Sequence, residues 1–253
     1  MPDLYDYPEI YDERFSEKAN RAYKSHYEKM LEGKEIHSIL DCSFGTGCLT
    51  FCLAELGYQV SGSDLSNTML EQARKKAAQK GFDVDLKQCD FRELSKVFHT
   101  PFDCVMSTGN ALAHVPENDV RLTLREMDSL IKPGGYLYLD SRNWDVEVKN
   151  RQRFRWYRPF IREDGVRINY VQDWDYNPDG SLDIHILHGY ERDGEIFESR
   201  DFEEHLHPFS IEVVRSELDK MGYQDVVVKP LPYFRDKPFE EIGWYALIAR
   251  KQG

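Results

Sequence analysis

The chain has no apolar run approaching the roughly 20 residues needed to cross a bilayer. Met1 to Ile10 shows no basic stretch followed by an apolar one, so neither a membrane anchor nor an export leader is expected, and a cytoplasmic location is. Cysteine is scarce and unpaired: five residues, at 42, 48, 52, 89 and 104, include no C-x-x-C. An odd count without that spacing excludes a disulfide framework and a zinc knuckle. Positive charge is short as well. With 33 basic against 45 acidic side chains the formal charge is −12, which repels phosphate backbones and anionic membrane surfaces, so nucleic acid and membrane are not expected partners. Ordinary solubility or a salty cytoplasm would account for that acidity equally.

What is present is an α/β pattern. From Ser16 to Glu32, Ala19, Tyr23, Tyr27, Met30 and Leu31 recur at helical spacing. Then His37 to Cys42 reads as a strand, Leu49 to Leu56 as a helix, Tyr58 to Ser63 as a strand, and Ser66 to Lys80 as a helix capped by Ser66. Strands over Val84 to Gln88 and Phe102 to Ser107 precede a helix from Glu117 to Ile131, which Pro133-Gly134-Gly135 stops before a strand from Tyr136 to Asp140. Short apolar strands alternating with helices predict a parallel sheet covered on both faces. After residue 150 the period changes to alternating strands, punctuated by Asp164-Gly165, Asp179-Gly180 and Asp193-Gly194, which are hairpin signals. A helix from Ser210 to Met221 and strands from Gln224 to Lys229 and Trp244 to Ala249 resume the first pattern. The reading is a Rossmann-like, doubly wound, mostly parallel seven-stranded sheet in residues 1–150 and 209–253. Residues 151–208 form an inserted antiparallel β subdomain, expected to act as a lid or a contact between subunits of a homo-oligomer.

Ile39 to Gly47 is a strand running into a turn with glycines at 45 and 47. Glycine there lets backbone approach a ligand, and the following helix supplies unpaired N–H groups. A lone G-x-G is equally a tight strand-to-helix turn. Asp64, 19 residues after Gly45 at the end of the next strand, stands where a carboxylate reaches a ribose diol or, more plainly, favours a helix N-terminus. Thr50 occupies the place of the third glycine that a dinucleotide site would want, which disfavours hydride transfer.

Taken together, L-D-C-S-F-G-T-G, Asp64, Cys89-Asp90-Phe91, F-D-C-V-M-S-T-G-N and I-K-P-G-G-Y-L resemble the successive motifs of class I S-adenosylmethionine-dependent methyltransferases. The resemblance implies S-adenosylmethionine as methyl donor, with Gly45 and Gly47 beside its methionine moiety, Asp64 on the ribose hydroxyls and Asp90 near the adenine amino group. Asp41, Leu65, Phe91 and Ser107 join them in the implied cofactor site. Asp90 also reads as a turn-forming residue. Within that superfamily, S-T-G-N-A-L-A-H-V-P at 107–116 and L-D-S-R-N-W-D at 139–145 resemble the glycine N-methyltransferases and glycine/sarcosine N-methyltransferases.

That closer resemblance implies a small amino acid as methyl acceptor, with Arg142 on its carboxylate and Gly109 and Asn110 orienting its amine. A guanidinium fork suits a carboxylate, although a salt bridge between Arg142 and Asp145 is the plainer alternative. It further implies His114 at the cofactor or as a core histidine, Tyr157 facing the reacting methyl, and Arg21 on the cofactor's carboxylate or as a solvated helix charge. Trp156 and Tyr170 compete with Tyr157, and Tyr11 is a weaker lid candidate. Where the animal glycine enzymes carry Tyr-Tyr-Pro, this chain has Leu206-His207-Pro208, so one pocket wall differs. His185, His188, His205 and His207 lie on strands without ligand spacing, and no metal is expected. Because the sulfonium is an activated donor, no general base is assigned. The alternatives are a methyltransferase for another small carboxylate-bearing metabolite, or a non-catalytic S-adenosylmethionine-binding regulator.

Overall fold

Successive side chains of a central strand point to opposite faces of its sheet, and the first strand shows the result. Ile39 and Leu40 are both fully buried, yet Ile39 belongs to one apolar cluster and Leu40 to another. The computed structural model describes residues 3–231 and 237–253. A seven-stranded sheet has the order β11-β12-β5-β4-β1-β2-β3, with β1 Ser38–Asp41, β2 Gln59–Asp64, β3 Asp85–Gln88, β4 Phe102–Ser107, β5 Ile131–Arg142, β11 Gln224–Pro230 and β12 Trp244–Arg250. The pairings among β1 to β5 are parallel. Strand β12 runs antiparallel to both neighbours.

One face carries α2 (Glu17–Leu31), α3 (Phe51–Glu55) and α4 (Asn67–Lys80), through Tyr27, Leu53 and Ala73. The other carries α5 (Glu117–Ser129) and α7 (Ile211–Lys220), through Leu124, Val214 and Leu218. Helix starts follow the capping chemistry: Ser16, Ser66 and Ser210 each accept a first-turn N–H on their hydroxyl oxygen. Two boundaries differ from expectation. Helix α5 ends at Ser129, and β5 begins at Ile131, so the Pro-Gly-Gly segment lies within the strand. A Cβ on Gly135 would stand 2.8 Å from the Asp103 carbonyl oxygen, so the glycine permits close approach of β4 and β5.

Beyond β5 come α6 (Trp144–Asn150) and an antiparallel sheet ordered β10-β9-β8-β6, with β7 paired to β8. Its strands are β6 Phe154–Trp156, β7 Phe160–Ile161, β8 Arg167–Tyr176, β9 Leu182–Arg192 and β10 Glu195–Leu206. Each Asp-Gly signal lies at a hairpin turn, with Gly165, Gly180 and Gly194 at positive φ. Trp174, Ile184, Ile186 and Phe202 on its inner face share one buried cluster with Leu137, Leu139 and Trp144 of the parallel domain. The inserted sheet is therefore packed onto the carboxyl-end side of the first. The amino-terminal segment, a 3-10 turn at Leu4–Asp6 and α1 at Pro8–Asp12, bridges the two. Asp12 accepts hydrogen bonds from Thr46 and Gln72 and pairs with Lys76 at 2.6 Å, while Glu13 accepts from Tyr190 and pairs with Arg162 of the inserted sheet.

Candidate functional site

Strand order reverses between β1 and β4, and open α/β sheets hold ligands beyond the carboxyl ends of the strands at such a point. Two adjoining cavities lie there. The larger, about 670 Å3, runs from Gly45 and Asp64 past Asp90 and Phe91 to His114. The smaller, about 300 Å3, is walled by Arg14, Asn110, Arg142, Tyr157, Tyr170 and Trp244, among others. Tyr5, Tyr11, Leu49, Gly109, His114 and Glu204 line both and so mark their junction.

The turn after β1 is held from beneath by Asp41. Its carboxylate accepts from the Ser43 N–H (3.0 Å) and hydroxyl (3.2 Å), from Thr108 (2.9 Å) and from Thr50. Burial raises its pKa and those four bonds lower it in part. Asp41 is fully buried and does not line the cavity; what the structure shows of it is support of the loop. Gly47 does not line the cavity either; a Cβ there would lie 2.3 Å from the Phe51 ring and its φ of +77° keeps the turn tight. Gly45 does line the larger cavity. A Cβ on it would meet only Met69 Cε, at 3.7 Å, so its backbone is open to a ligand.

Asp64 closes the opposite wall. Its Oδ2 accepts from Gly45 N–H at 2.8 Å and its Oδ1 from Ser66 N–H at 2.9 Å, so it tethers the turn to the residue that caps α4 while keeping further acceptor capacity toward the cavity. Burial pushes its pKa up to about 6 against the opposing pull of those two bonds. Leu65, Asp90 and Phe91 line the same cavity. Asp90 is a turn former too: it accepts from the Arg92 N–H at 2.9 Å, pairs with the Arg92 guanidinium at 2.6 Å, and that arginine holds its pKa down. Arg92 itself lines the cavity and had no motif to mark it. Ser107 is buried, near the Ser43 hydroxyl at 3.5 Å, and lines neither cavity. His114 lines both, with Nε2 at 3.0 Å from the Tyr5 hydroxyl and its pKa lowered by burial.

Arg21 is elsewhere. Its side chain is 71% exposed and pairs with Glu17 along α2 at 3.3 Å, the solvated-charge alternative. The arginine that does enter the site is Arg14, which nothing in the sequence flagged. It donates to the Tyr170 hydroxyl at 3.1 Å and lies over the Tyr11 ring at 4.6 Å, with its buried Nε unpartnered among the described residues.

Gly109, Asn110, Arg142 and Tyr157 are brought together in the smaller cavity. Gly109 and Asn110 have φ of +72° and +67°, a left-handed pair held by two clasps from β5 and α6. Gly109 N–H donates to Asp140 at 2.9 Å, a buried carboxyl that desolvation pushes up to about 7. Asn110 Oδ1 accepts from the Ser141 hydroxyl, Arg142 N–H and Trp144 Nε1–H at 3.0, 3.1 and 3.0 Å. A backbone N–H and an indole N–H only donate, so the amide orientation is chemically forced. With its side-chain oxygen engaged in this way, Asn110 keeps its amide N–H groups for a ligand.

Arg142 is stacked between Trp174 and Trp244, each ring centroid 4.9 Å from its Cζ, and donates to the Tyr157 hydroxyl at 3.5 Å. Among the described residues no carboxylate lies within ion-pair distance of it. Asp145, the salt-bridge alternative, instead accepts from Ile211 N–H at 3.1 Å. Tyr157 donates to Gln172 at 3.0 Å and packs on Tyr170 at 4.7 Å. Trp156 faces away from the cavity and is largely exposed. Leu206 lines the smaller cavity, so the departure at residues 206–208 makes that wall apolar. Among the described residues no group of three or more His, Cys, Asp or Glu could hold a metal ion, and no helix is long and apolar enough to cross a membrane.

Comparison with known proteins agrees with this architecture. Residues 39–135 match the family described as a methyltransferase domain. The chain is 28% identical over 233 residues to a glycine/sarcosine N-methyltransferase of Parasynechococcus marenigrum, covering 88% of this chain and 75% of that one. It is 37% identical over 108 residues to the glycine/sarcosine N-methyltransferase of Halorhodospira halochloris, and 32% over 135 residues to the rat glycine N-methyltransferase. The first of these two matches covers 42% of this chain and 40% of the relative, the second 49% and 46%, so the chain spans under half the length of those two. In fold it is similar to a S-adenosylmethionine-dependent methyltransferase from Clostridium acetobutylicum, with a TM-score of 0.77, 17% identity and 97% of each chain covered. It is likewise similar to DesVI of Streptomyces venezuelae, at 0.73, 17% and 100% of each.

Proposed function

We propose that the chain, a S-adenosylmethionine-dependent methyltransferase by its domain and its relatives, transfers methyl to the amine of a small carboxylate-bearing amino acid, glycine and sarcosine first. The observation that carries the reading is Arg142, a guanidinium lying over two indole rings on the wall of the smaller cavity, with no carboxylate within ion-pair distance of it among the described residues. A stacked, half-buried cation of this kind is arranged for an incoming anion. Asn110 adds N–H donors beside it. The names of the relatives support the same acceptor class.

S-adenosylmethionine, when bound, supplies a methyl group already activated on sulfur. The residues that would hold it are Gly45, through its open backbone, Asp64, through an acceptor oxygen for ribose hydroxyls, and Leu65, Asp90 and Phe91 around the base. Arg14, which lines the smaller cavity and lies over the Tyr11 ring at the junction, would supply a guanidinium for the cofactor's own carboxylate, where the sequence points to Arg21. The protein's remaining work is to hold a neutral amine in line at the junction and exclude water. Tyr157, Tyr170 and the amino-terminal Tyr5 and Tyr11 form the walls that do so.

A second reading, a larger amine-bearing carboxylate, is favoured by one feature: a cavity of about 300 Å3 with Leu206 on its wall, roomy for glycine. Turnover with glycine, sarcosine, dimethylglycine and larger amino acids, read by product mass, separates the two. Exclusive methylation of amines lacking a carboxylate would overturn both.

A further inference from the structure

Strand β10 alternates Phe202, Glu204 and Leu206 toward the inner face of its sheet. Phe202 and Leu206 are each 1% exposed, so a carboxylate stands where the pattern calls for an apolar side chain. Glu204 is half-buried, and with no hydrogen bond or ion pair to it among the described residues its carboxylate is left to face the cavities it lines. Its neighbour Glu203 lies 3.8 Å from His185 and lines only the larger cavity. Glu204 is the one acid among the residues lining the smaller cavity, and it lines the larger one too. It therefore stands at the junction where an amine and an activated methyl must meet.

The groups facing it come from every element packed around that junction. Its charge is felt at Tyr5 and Tyr11 of the amino-terminal segment, at Arg14, at His114 after β4 and at Tyr170 on β8. His205 flanks it on its own strand, and Asp64 lies across the larger cavity. Of these groups, Asp64 has each carboxylate oxygen on a backbone N–H and His205 has its Nδ1 on Asp183, and neither lines the smaller cavity. Burial pushes the hydroxyls of Tyr5, Tyr11 and Tyr170 up, so they stay protonated, and Arg14 is a cation. His114 has its Nε2 committed to the Tyr5 hydroxyl.

We propose that Glu204 is a catalytic residue that receives the acceptor's ammonium and takes its proton. The proposal rests on the amine-methylating reading above. An amine arrives largely as the ammonium at neutral pH, which has no lone pair to attack with. The N–H bond breaks toward a Glu204 oxygen, giving a neutral amine and a neutral carboxyl. The freed lone pair then forms the N–C bond as the methyl–sulfur bond breaks, and that bond's electrons stay on sulfur. The positive charge thus moves from sulfur to the methylated nitrogen, and the Glu204 proton returns to solvent through the open cleft.

The test is the pH dependence of kcat/KM for the acceptor in the wild type, Glu204→Gln and Glu204→Asp, with S-adenosylmethionine affinity measured by calorimetry on each. We expect Glu204→Gln to lose about 100-fold at neutral pH, the lower end of what a positioned base contributes, with cofactor affinity unchanged. The deficit should shrink as pH approaches the amine's own pKa, because solution then supplies the free base. Glu204→Asp, which keeps a carboxylate, should recover part of the loss and the wild-type shape of the profile. A deficit equal at every pH, or a loss of cofactor affinity in place of a pH-dependent rate, overturns the proposal and makes Glu204 structural or a cofactor ligand. Should Glu204→Gln not bind cofactor at all, a Glu204→Asp profile with a constant deficit overturns it equally. If the wild type methylates no amine, the proposed function fails first; if it does and Glu204→Gln matches it, only this inference fails.

Discussion

Replacing Arg142 by lysine keeps the charge and removes what the structure adds to it. The guanidinium plane lies between Trp174 and Trp244, 4.9 Å from each centroid, and reaches the Tyr157 hydroxyl. A lysine ammonium can neither stack in that slot nor present two parallel N–H groups to a carboxylate. Loss of one charge-assisted hydrogen bond costs about 1.5–3 kcal/mol, and a desolvated cation–π contact adds about 1 kcal/mol. The expected loss is therefore about 2.5–4 kcal/mol in kcat/KM, or about 70- to 900-fold at 1.36 kcal/mol per decade. Because Asn110 is bonded to the backbone N–H of residue 142, the loop survives the substitution, and cofactor affinity should hold. The assay is a comparison of glycine with glycinamide, which keeps the amine and lacks the negative charge. Glycine turnover should collapse in Arg142→Lys, whereas glycinamide, poor from the start, should lose little more. Equal damage to both would show that Arg142 shapes the pocket without reading the carboxylate.

Asp64→Ala should weaken S-adenosylmethionine binding by about 1.5–3 kcal/mol, the worth of hydrogen bonds to a charged group; unchanged affinity by calorimetry in a folded variant removes Asp64 from the site. The ligand-free fold holds Asp64 at about 6, above the unfolded value of about 4, so the folded state binds the extra proton and this group's contribution to stability falls as pH rises from about 4 to 6. Cofactor hydroxyls need the ionised form, so affinity should rise with pH across that window and level off above it, and Asp64→Asn should abolish the slope. Gly45→Ala should cost about 1–2 kcal/mol for a left-handed backbone, and Gly47→Ala more, because its Cβ must also displace the Phe51 ring. Equal melting-temperature losses would contradict that ranking. Nicotinamide and flavin dinucleotides should bind negligibly, with Thr50 where a third glycine belongs; a micromolar complex would contradict it.

The order of strands and helices was legible because hydrophobic periodicity is a local signal, and the three Asp-Gly turns marked the hairpins for the same reason. Helix α6 and the amino-terminal turns escaped, being too short to show a period. The limits at the site have a different cause. Which arginine enters a cavity depends on where α2 packs, and neither Arg14 nor Arg21 carries that information in its neighbours. Asp41 and Gly47 stand within the very motif that marks a cofactor loop, yet a motif does not say which members line the cavity and which support the turn from beneath. Glu204 did leave a trace. A glutamate between Phe202 and Leu206 in an alternating strand breaks the pattern, and such a break is a better signal of a site than any of the four histidines nearby.

The central claim is that this cleft moves a methyl group onto the nitrogen of a small amino acid whose carboxylate is held by Arg142. Its most direct test is to incubate the protein with S-adenosylmethionine and glycine, sarcosine, dimethylglycine or glycinamide, and to read each product by mass together with the S-adenosylhomocysteine formed. The account predicts N-methylated product, matched mole for mole by S-adenosylhomocysteine, from one or more of the carboxylate-bearing amines, and little from glycinamide. Glycinamide turning over as readily as glycine, or cofactor binding tightly while no amine is methylated, would contradict it.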